Sequence, residues 1–190
     1  MRIHLIRHGK TIANEQRLYC GATDLPLSTK GVAELMHLRS LGIYPKADDD
    51  SVYFTSGLQR TEQTLDLLYG DINRKILPQL AEYNFGDFEM QSYNTLKDCD
   101  DYKAWISDDS GIVPCPNGES KGVFTQRVME GFYSQIADKD IFMICHGGVI
   151  ACIMENLCPN TQNFYEWQPE TGRGYTLIYI SGMYNHYKII

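Results

Sequence analysis

Short apolar runs alternate along the chain with longer stretches in which apolar side chains recur every three or four positions. Residues 2–6 include the β-branched or aliphatic Ile3, Leu5 and Ile6 and no Gly or Pro, the make-up of a strand, and lead directly into Arg7-His8-Gly9. A loop over 14–27 follows. Ser28 is then placed to cap a helix reaching Leu41, with Val32, Leu35 and Met36 on one face and Gly42 beyond its end. The pattern predicts a second strand over 51–55, a helix over 58–69 closed by Gly70, and a short third strand over 74–77. Helical spacing of Val123, Val128, Phe132 and Ile136 predicts a long helix over 119–137. Residues 141–145 are wholly apolar and read as a buried strand, followed by a helix over 149–157. Two last strands, 175–180 and 185–190, make a hairpin around Ser181-Gly182. Strands alternating with helices, and no repeat or linker, describe one α/β domain over 1–190.

One segment breaks the rhythm. From Leu80 to Asn117 aromatic and acidic residues mix with weak periodicity, which reads as a lid-like insertion (about 83–118) holding one or two short helices.

Composition narrows the picture only slightly. With 43% hydrophobic and 22% charged residues the chain is an ordinary globular sequence. Its net charge of −7 argues against a nucleic-acid footprint or a polybasic membrane face. Any anionic substrate must therefore be met by positive charge concentrated locally. Met1 leads straight into a core strand, so no signal peptide is expected, no apolar run reaches membrane-span length, and a cytoplasmic protein is the reading. The six cysteines contain no Cys-x-x-Cys pair and no ligand-spaced set with histidine, so neither a disulfide framework, a metal site nor a cofactor is expected.

The chemistry gathers at three strand ends: Arg7-His8-Gly9, Ser56-Gly57-Leu58-Gln59-Arg60 and His146-Gly147-Gly148. In open α/β sheets ligands bind at the carboxyl ends of the strands, and adjacent parallel strands would bring these three together. Two arginines and two histidines meeting at one point suit a phosphoryl group, which needs fixed donors around its oxygens and an in-line nucleophile. Glu82 or Asp87, after the third strand, could protonate the leaving oxygen.

In that order the motifs resemble the histidine phosphatase superfamily, also called phosphoglycerate-mutase-like, over nearly the whole chain. The resemblance rests on Arg7-His8-Gly9 with Asn14 and on Tyr19-x-Gly21-x-x-Asp24-x-Pro26-Leu27-Ser28-x-x-Gly31. It continues through Ser56-x-Leu58-x-Arg60-Thr61-x-Gln63-Thr64, Leu80-x-Glu82, Gly86-Asp87-Phe88-Glu89, Gly118-Glu119-Ser120 and His146-Gly147-Gly148. It implies a three-layer α/β/α sandwich on a mostly parallel sheet. It also implies that His8 is the phosphorylated nucleophile, that Arg7, Arg60, His146 and Asn14 hold the phosphate, and that Glu82 is the acid. Thr11 and Gly147 stand beside these as further candidate substrate contacts. The chain departs from the common pattern at Lys10, Gly57, Thr61, Phe88 and Met90.

Other phosphoryl-transfer designs fit poorly. No cysteine is followed six positions on by the arginine a cysteine phosphatase needs, no apolar strand precedes Asp48-x-Asp50, and there is no Gly-x-x-x-x-Gly-Lys-Ser/Thr loop. Within the family the contest lies between a phosphatase and a cofactor-dependent phosphoglycerate mutase. Between Glu82 and Glu119 the only bases are Lys97 and Lys103, against seven acids, which suits a mutase's second phosphate badly unless Lys10, Arg17 or Arg173 supplies the charge. The same stretch offers Tyr83, Phe85, Phe88, Tyr93, Tyr102 and Trp105 for stacking on a planar leaving group, with about half of these rings expected in the core. The expectation is a metal-independent phosphomonoesterase acting on a small phosphate ester, of the kind represented by α-ribazole-phosphate phosphatases. A non-catalytic phospholigand-binding module is the alternative from another class. Oligomeric state is not legible.

Overall fold

The computed structural model describes residues 1–190 and contains six strands in a single sheet. β1 (Arg2–Arg7) lies between β4 (Ile141–Cys145) and β5 (Gly174–Ile180), in the order β3-β2-β4-β1-β5-β6. β1, β4, β2 (Val52–Thr55) and β3 (Lys75–Ile76) are mutually parallel, whereas β5 is antiparallel to both β1 and β6 (Met183–Ile189). Only β5 therefore runs against the rest. The β5–β6 connection is the two residues Ser181 and Gly182, at φ 51° and 76°. A two-residue turn with both φ positive matches the right-handed twist of the strands it joins, and glycine makes the second position cheap.

Central strands are covered on both faces. Alternation along β1 sends Ile3 and Leu5 into one core, with Met143, Cys145, Phe132 and Val149, and Ile6 into another, with Leu35, Leu65 and Ile144. The first core is closed by α6 (Lys121–Ser134) and α7 (Gly147–Leu157), the second by α2 (Thr29–Ser40) and α3 (Gln59–Tyr69). The result is the α/β/α sandwich. No helix is long and apolar enough to cross a membrane.

Several local expectations need correction. The predicted loop over 14–27 opens with a helical turn, α1 (Ile12–Gln16), because Thr11 and Asn14 form a reciprocal capping box. On α2 the Ser28 hydroxyl accepts from Gly31 N as expected, but Met36 is exposed and Leu35 carries the buried face. Val123 is likewise exposed, because the buried face of α6 runs through Phe124, Val128 and Phe132 at four-residue spacing and Val123 lies off it. α7 starts two residues earlier than its apolar run, at Gly147, so His146 stands at its N-cap.

Residues 83–118 contain the short helices α4 (Tyr93–Leu96) and α5 (Asp100–Ile106). Tyr83, Phe88, Leu96, Tyr102 and Cys115 join the larger core, while Phe85 and Trp105 pack against it and Tyr93 is exposed. The insertion is thus docked through its aromatic side chains, beside the carboxyl ends of the strands.

Candidate active site

Parallel pairing of β1 with β4 and of β4 with β2 sets Arg7 opposite Cys145 and Thr55 opposite Ile144. The three motif turns follow directly from these residues and meet. His8 N donates to Cys145 O at 3.0 Å, and Gly9 N donates to Thr64 Oγ1 at 2.9 Å, which ties the first turn to the helix carrying Arg60.

His8 is 5% exposed, with Nδ1 2.6 Å from the carbonyl of Gly9. A carbonyl can only accept, so Nδ1 carries the hydrogen and the neutral ring keeps its lone pair on Nε2. Burial, followed by the positive charges of Arg60 and Arg7, holds its pKa well below 6.5. The ring stays neutral among cations, the state a nitrogen nucleophile requires.

Arg7 donates from Nη1 to Pro169 O at 2.7 Å, and its buried Nε has no partner within the protein. Arg60, 1% exposed, is held by three contacts: Nη1 to Thr23 O at 2.9 Å, Nη2 to Gly21 O at 2.7 Å and Nε to His146 Nδ1 at 3.3 Å. Of five guanidinium N–H groups, two remain. Because Arg60 donates to Nδ1, His146 carries its hydrogen on Nε2 and donates to Ser56 Oγ at 2.9 Å. Thr61 Oγ1 lies 3.2 Å behind that hydroxyl. Both ring nitrogens of His146 are thus engaged within the protein, Nδ1 by Arg60 and Nε2 by Ser56. Its ring stands edge-on to His8, with centroids 5.1 Å apart.

The glycine pair after His146 has a steric cause. A Cβ on Gly148 would fall 2.4 Å from Glu82 Oε1, so only glycine lets that carboxylate approach the start of α7. There Glu82 Oε2 accepts from Gly148 N and Oε1 from Tyr83 N, both at 2.9 Å. Asp87 is exposed and bonded to Asn117 Nδ2, away from this point. Asn14 Oδ1 is occupied by the amide and hydroxyl of Thr11, which leaves its NH₂ free on the cavity wall. Thr11 itself is 1% exposed with its hydroxyl turned to Asn14, so it orients Asn14 and does not face the cavity.

A cavity of about 610 Å³ is lined by Arg7, Asn14, Glu82 and Gly148 and by aromatic rings that include Tyr19, Tyr83, Phe85, Trp105, Phe164 and Tyr165. Its other charged lining residues are Lys121, Asp108 and Asp109. Lys10, Arg17 and Arg173 are not among them, and Lys10 is ion-paired to Glu34.

The sequence model of the histidine phosphatase superfamily, branch 1, matches residues 3–182. The chain belongs to that superfamily. It is 36% identical over 165 residues to an adenosylcobalamin/alpha-ribazole phosphatase of Salmonella typhimurium, an alignment covering 83% of this chain and 79% of the relative. A 2,3-bisphosphoglycerate-dependent phosphoglycerate mutase of Bradyrhizobium diazoefficiens is 29% identical, covering 82% and 81%. Among solved structures, the alpha-ribazole phosphatase of Shigella flexneri superposes with a TM-score of 0.82 at 28% identity, over 97% of this chain and 93% of that one.

Part of this histidine phosphatase's site lies outside the motif reading. Ser56 holds His146, and Glu89 accepts from the amides of Gly21, Ala22, Thr23 and Phe85, thereby shaping the loop whose carbonyls grip Arg60. Ser56 and Glu89 stand in the motifs but carry no distinguishing local signal. Lys121 and Phe124 reach the cavity from a helix that spacing marks only as core.

Proposed function

We propose that the chain is a phosphomonoesterase that works through a phosphohistidine on His8. The observation that carries this reading is a buried, neutral His8 with its lone pair on Nε2, in a site where Arg7 Nε and two N–H groups of Arg60 lack protein partners. Nε2 attacks phosphorus as the ester P–O bond breaks. Arg7, Arg60 and the Asn14 amide hold the phosphoryl oxygens, His146 fixes Arg60, and Glu82 gives its proton to the leaving oxygen. Water then attacks phosphorus, Glu82 takes up the proton, the P–N bond breaks, and inorganic phosphate leaves with Nε2 restored.

The leaving group would lie in the aromatic cavity. Flat rings on its walls favour a planar, weakly charged group, and phosphorylated α-ribazole is the substrate we infer, a reading supported by the relatives that carry its name. The test is turnover of p-nitrophenyl phosphate and α-ribazole phosphate by wild type and His8→Ala, with the phosphoenzyme trapped by rapid quench. Acid-labile, base-stable phosphate on His8, absent from the variant, is expected. Phosphate binding without turnover would instead make the chain a binding module.

A further inference from the structure

Arg127 belongs to none of the motifs, yet it makes the densest set of contacts around the backbone of Glu82. From α6 its Nη1 donates to Gln79 O at 2.8 Å and Ala81 O at 3.0 Å, and its Nη2 reaches Glu82 O at 3.4 Å. The same guanidinium pairs with Glu119 through two bonds of 2.8 Å, Nε to Oε1 and Nη2 to Oε2. Glu119 Oε2 in turn accepts from Asn84 N at 3.0 Å. Carbonyls before Glu82 and the amide two residues after it are therefore gripped by one ion pair.

Close packing reinforces the grip. A Cβ on Gly131, one turn further along α6, would fall 2.4 Å from Gln79 Cβ, so helix and segment touch where a larger residue would separate them. Phe124, one turn back, lies 5.3 Å under the guanidinium, packs on Tyr83 at 5.0 Å and lines the cavity. Burial raises the pKa of Glu119, but the bonds from Arg127 and from Asn84 N outweigh it and hold the carboxylate below its ordinary range.

We propose that the Arg127–Glu119 pair is the positioning device for leaving-group protonation: it fixes the 79–84 backbone so that the Glu82 carboxyl stands at the leaving oxygen. Arg127 touches neither phosphate nor leaving group in this account. The proposal rests on Glu82 being the acid. A general acid must sit within hydrogen-bond reach of the atom it protonates, and a planar bidentate fork spanning three carbonyls holds a backbone more tightly than one flexible charge could.

A leaving-group comparison tests it. Glu82→Gln, Arg127→Gln, Arg127→Lys, Glu119→Gln and the Glu82→Gln/Arg127→Gln double variant are assayed on p-nitrophenyl phosphate, which leaves without help, and on glycerol phosphate, which does not. Glu82→Gln should slow glycerol phosphate about 100-fold and p-nitrophenyl phosphate less than about tenfold. Arg127→Gln should reproduce that selectivity at about tenfold, Arg127→Lys should recover only part of it, and in the Glu82→Gln background Arg127→Gln should add almost none. Equal losses on both substrates from Arg127→Gln, or full additivity with Glu82→Gln, would reduce Arg127 to a purely structural residue and overturn the proposal. If Arg127→Gln fails to fold, Glu119→Gln keeps the volume, loses the partner charge and is judged by the same two criteria. Equal losses from Glu82→Gln itself would overturn the assignment of the acid, and the positioning role with it.

Discussion

A Cβ on Gly147 would stand 2.9 Å from Cζ and 3.1 Å from Nε of Arg7. The first residue of α7 is therefore the floor on which the Arg7 guanidinium lies, and its lack of a side chain keeps the unpaired Nε in place. Gly147→Ala should leave the fold intact, since alanine is the better helix former and the clashing group is the movable end of a long side chain. Displacing Arg7 removes a phosphoryl donor whatever the leaving group. We expect kcat/KM to fall about 10- to 100-fold on p-nitrophenyl and glycerol phosphates alike, with thermal stability unchanged or slightly raised. Unchanged kinetics would mean that Arg7 does not contribute from this position.

His8 offers a direct reading of its charge state. Its pKa is pushed well below 6.5 by burial and by Arg60 and Arg7, so the free enzyme's His8 ring should stay neutral as pH falls from 7 to 5. Ring C–H resonances of His8 followed by NMR should stay flat over that range. A His8 midpoint near 6.5 would show that the two arginines do not set its protonation.

Much of this arrangement is legible locally. A strand that runs into Arg7-His8-Gly9, and one that runs into His146-Gly147-Gly148, announce themselves within ten residues, and parallel pairing then forces them together. Glu82 and Asp87 follow the same strand and look alike in sequence; only the backbone path places Glu82 against Gly148 N and Asp87 against Asn117. Capping hides α1: Thr11 and Asn14 look like phosphate contacts, and their hydrogen bonds to each other appear only once the turn is built. Arg127 is the least legible, since its carbonyl partners lie 45 to 48 positions away and helical spacing gives no hint of them. The aromatic insertion divides by packing alone: Tyr83, Phe88 and Tyr102 are buried and Tyr93 is not, although the local pattern treats them alike.

Acid lability should follow from His4, which plays no part in the site. The ring is 1% exposed, bonded through Nδ1 to Thr176 Oγ1 at 2.9 Å and packed on Phe142 at 4.4 Å, and its buried Nε2 has no partner. Burial first, then the charge of Arg2, lowers its pKa to about 4, against the opposing pull of Asp140. Unfolded, the same ring binds a proton near pH 6.5. Between those values unfolding takes up a proton, so the stability due to neutral His4 is complete above pH 6.5 and is lost as pH falls toward 4. The loss from pH 7 to pH 5 should be roughly 2 kcal/mol from this residue, and the depressed pKa values of His8 and His146 act in the same direction. Urea unfolding of His4→Gln should start from lower stability but decline less between pH 7 and pH 5 than wild type does. Parallel declines would remove His4 as the source.

The cavity also bears on whether this histidine phosphatase isomerises phosphoglycerate. A mutase has to retain a bisphosphate while it reorients, and a second phosphate dianion stays only where cations replace its hydration. Beyond the phosphoryl clamp the cavity wall carries one cation, Lys121, whose Nζ lies 5.6 Å over the Phe164 ring, and two carboxylates, Asp108 and Asp109. Lys97 and Lys103 do not line it, and Lys10 is paired with Glu34. Lys121, Asp108 and Asp109 together are net negative, which favours departure of the second phosphate and leaves phosphohistidine to water. With 3-phosphoglycerate and catalytic 2,3-bisphosphoglycerate, release of inorganic phosphate should outrun formation of 2-phosphoglycerate by at least about tenfold. Adding cations should shift the balance: Asp108→Lys with Asp109→Asn should raise whatever isomerisation there is relative to hydrolysis. Isomerisation faster than phosphate release in the wild type would mean that Lys121 suffices as the second phosphate site, and Lys121→Ala would then abolish it.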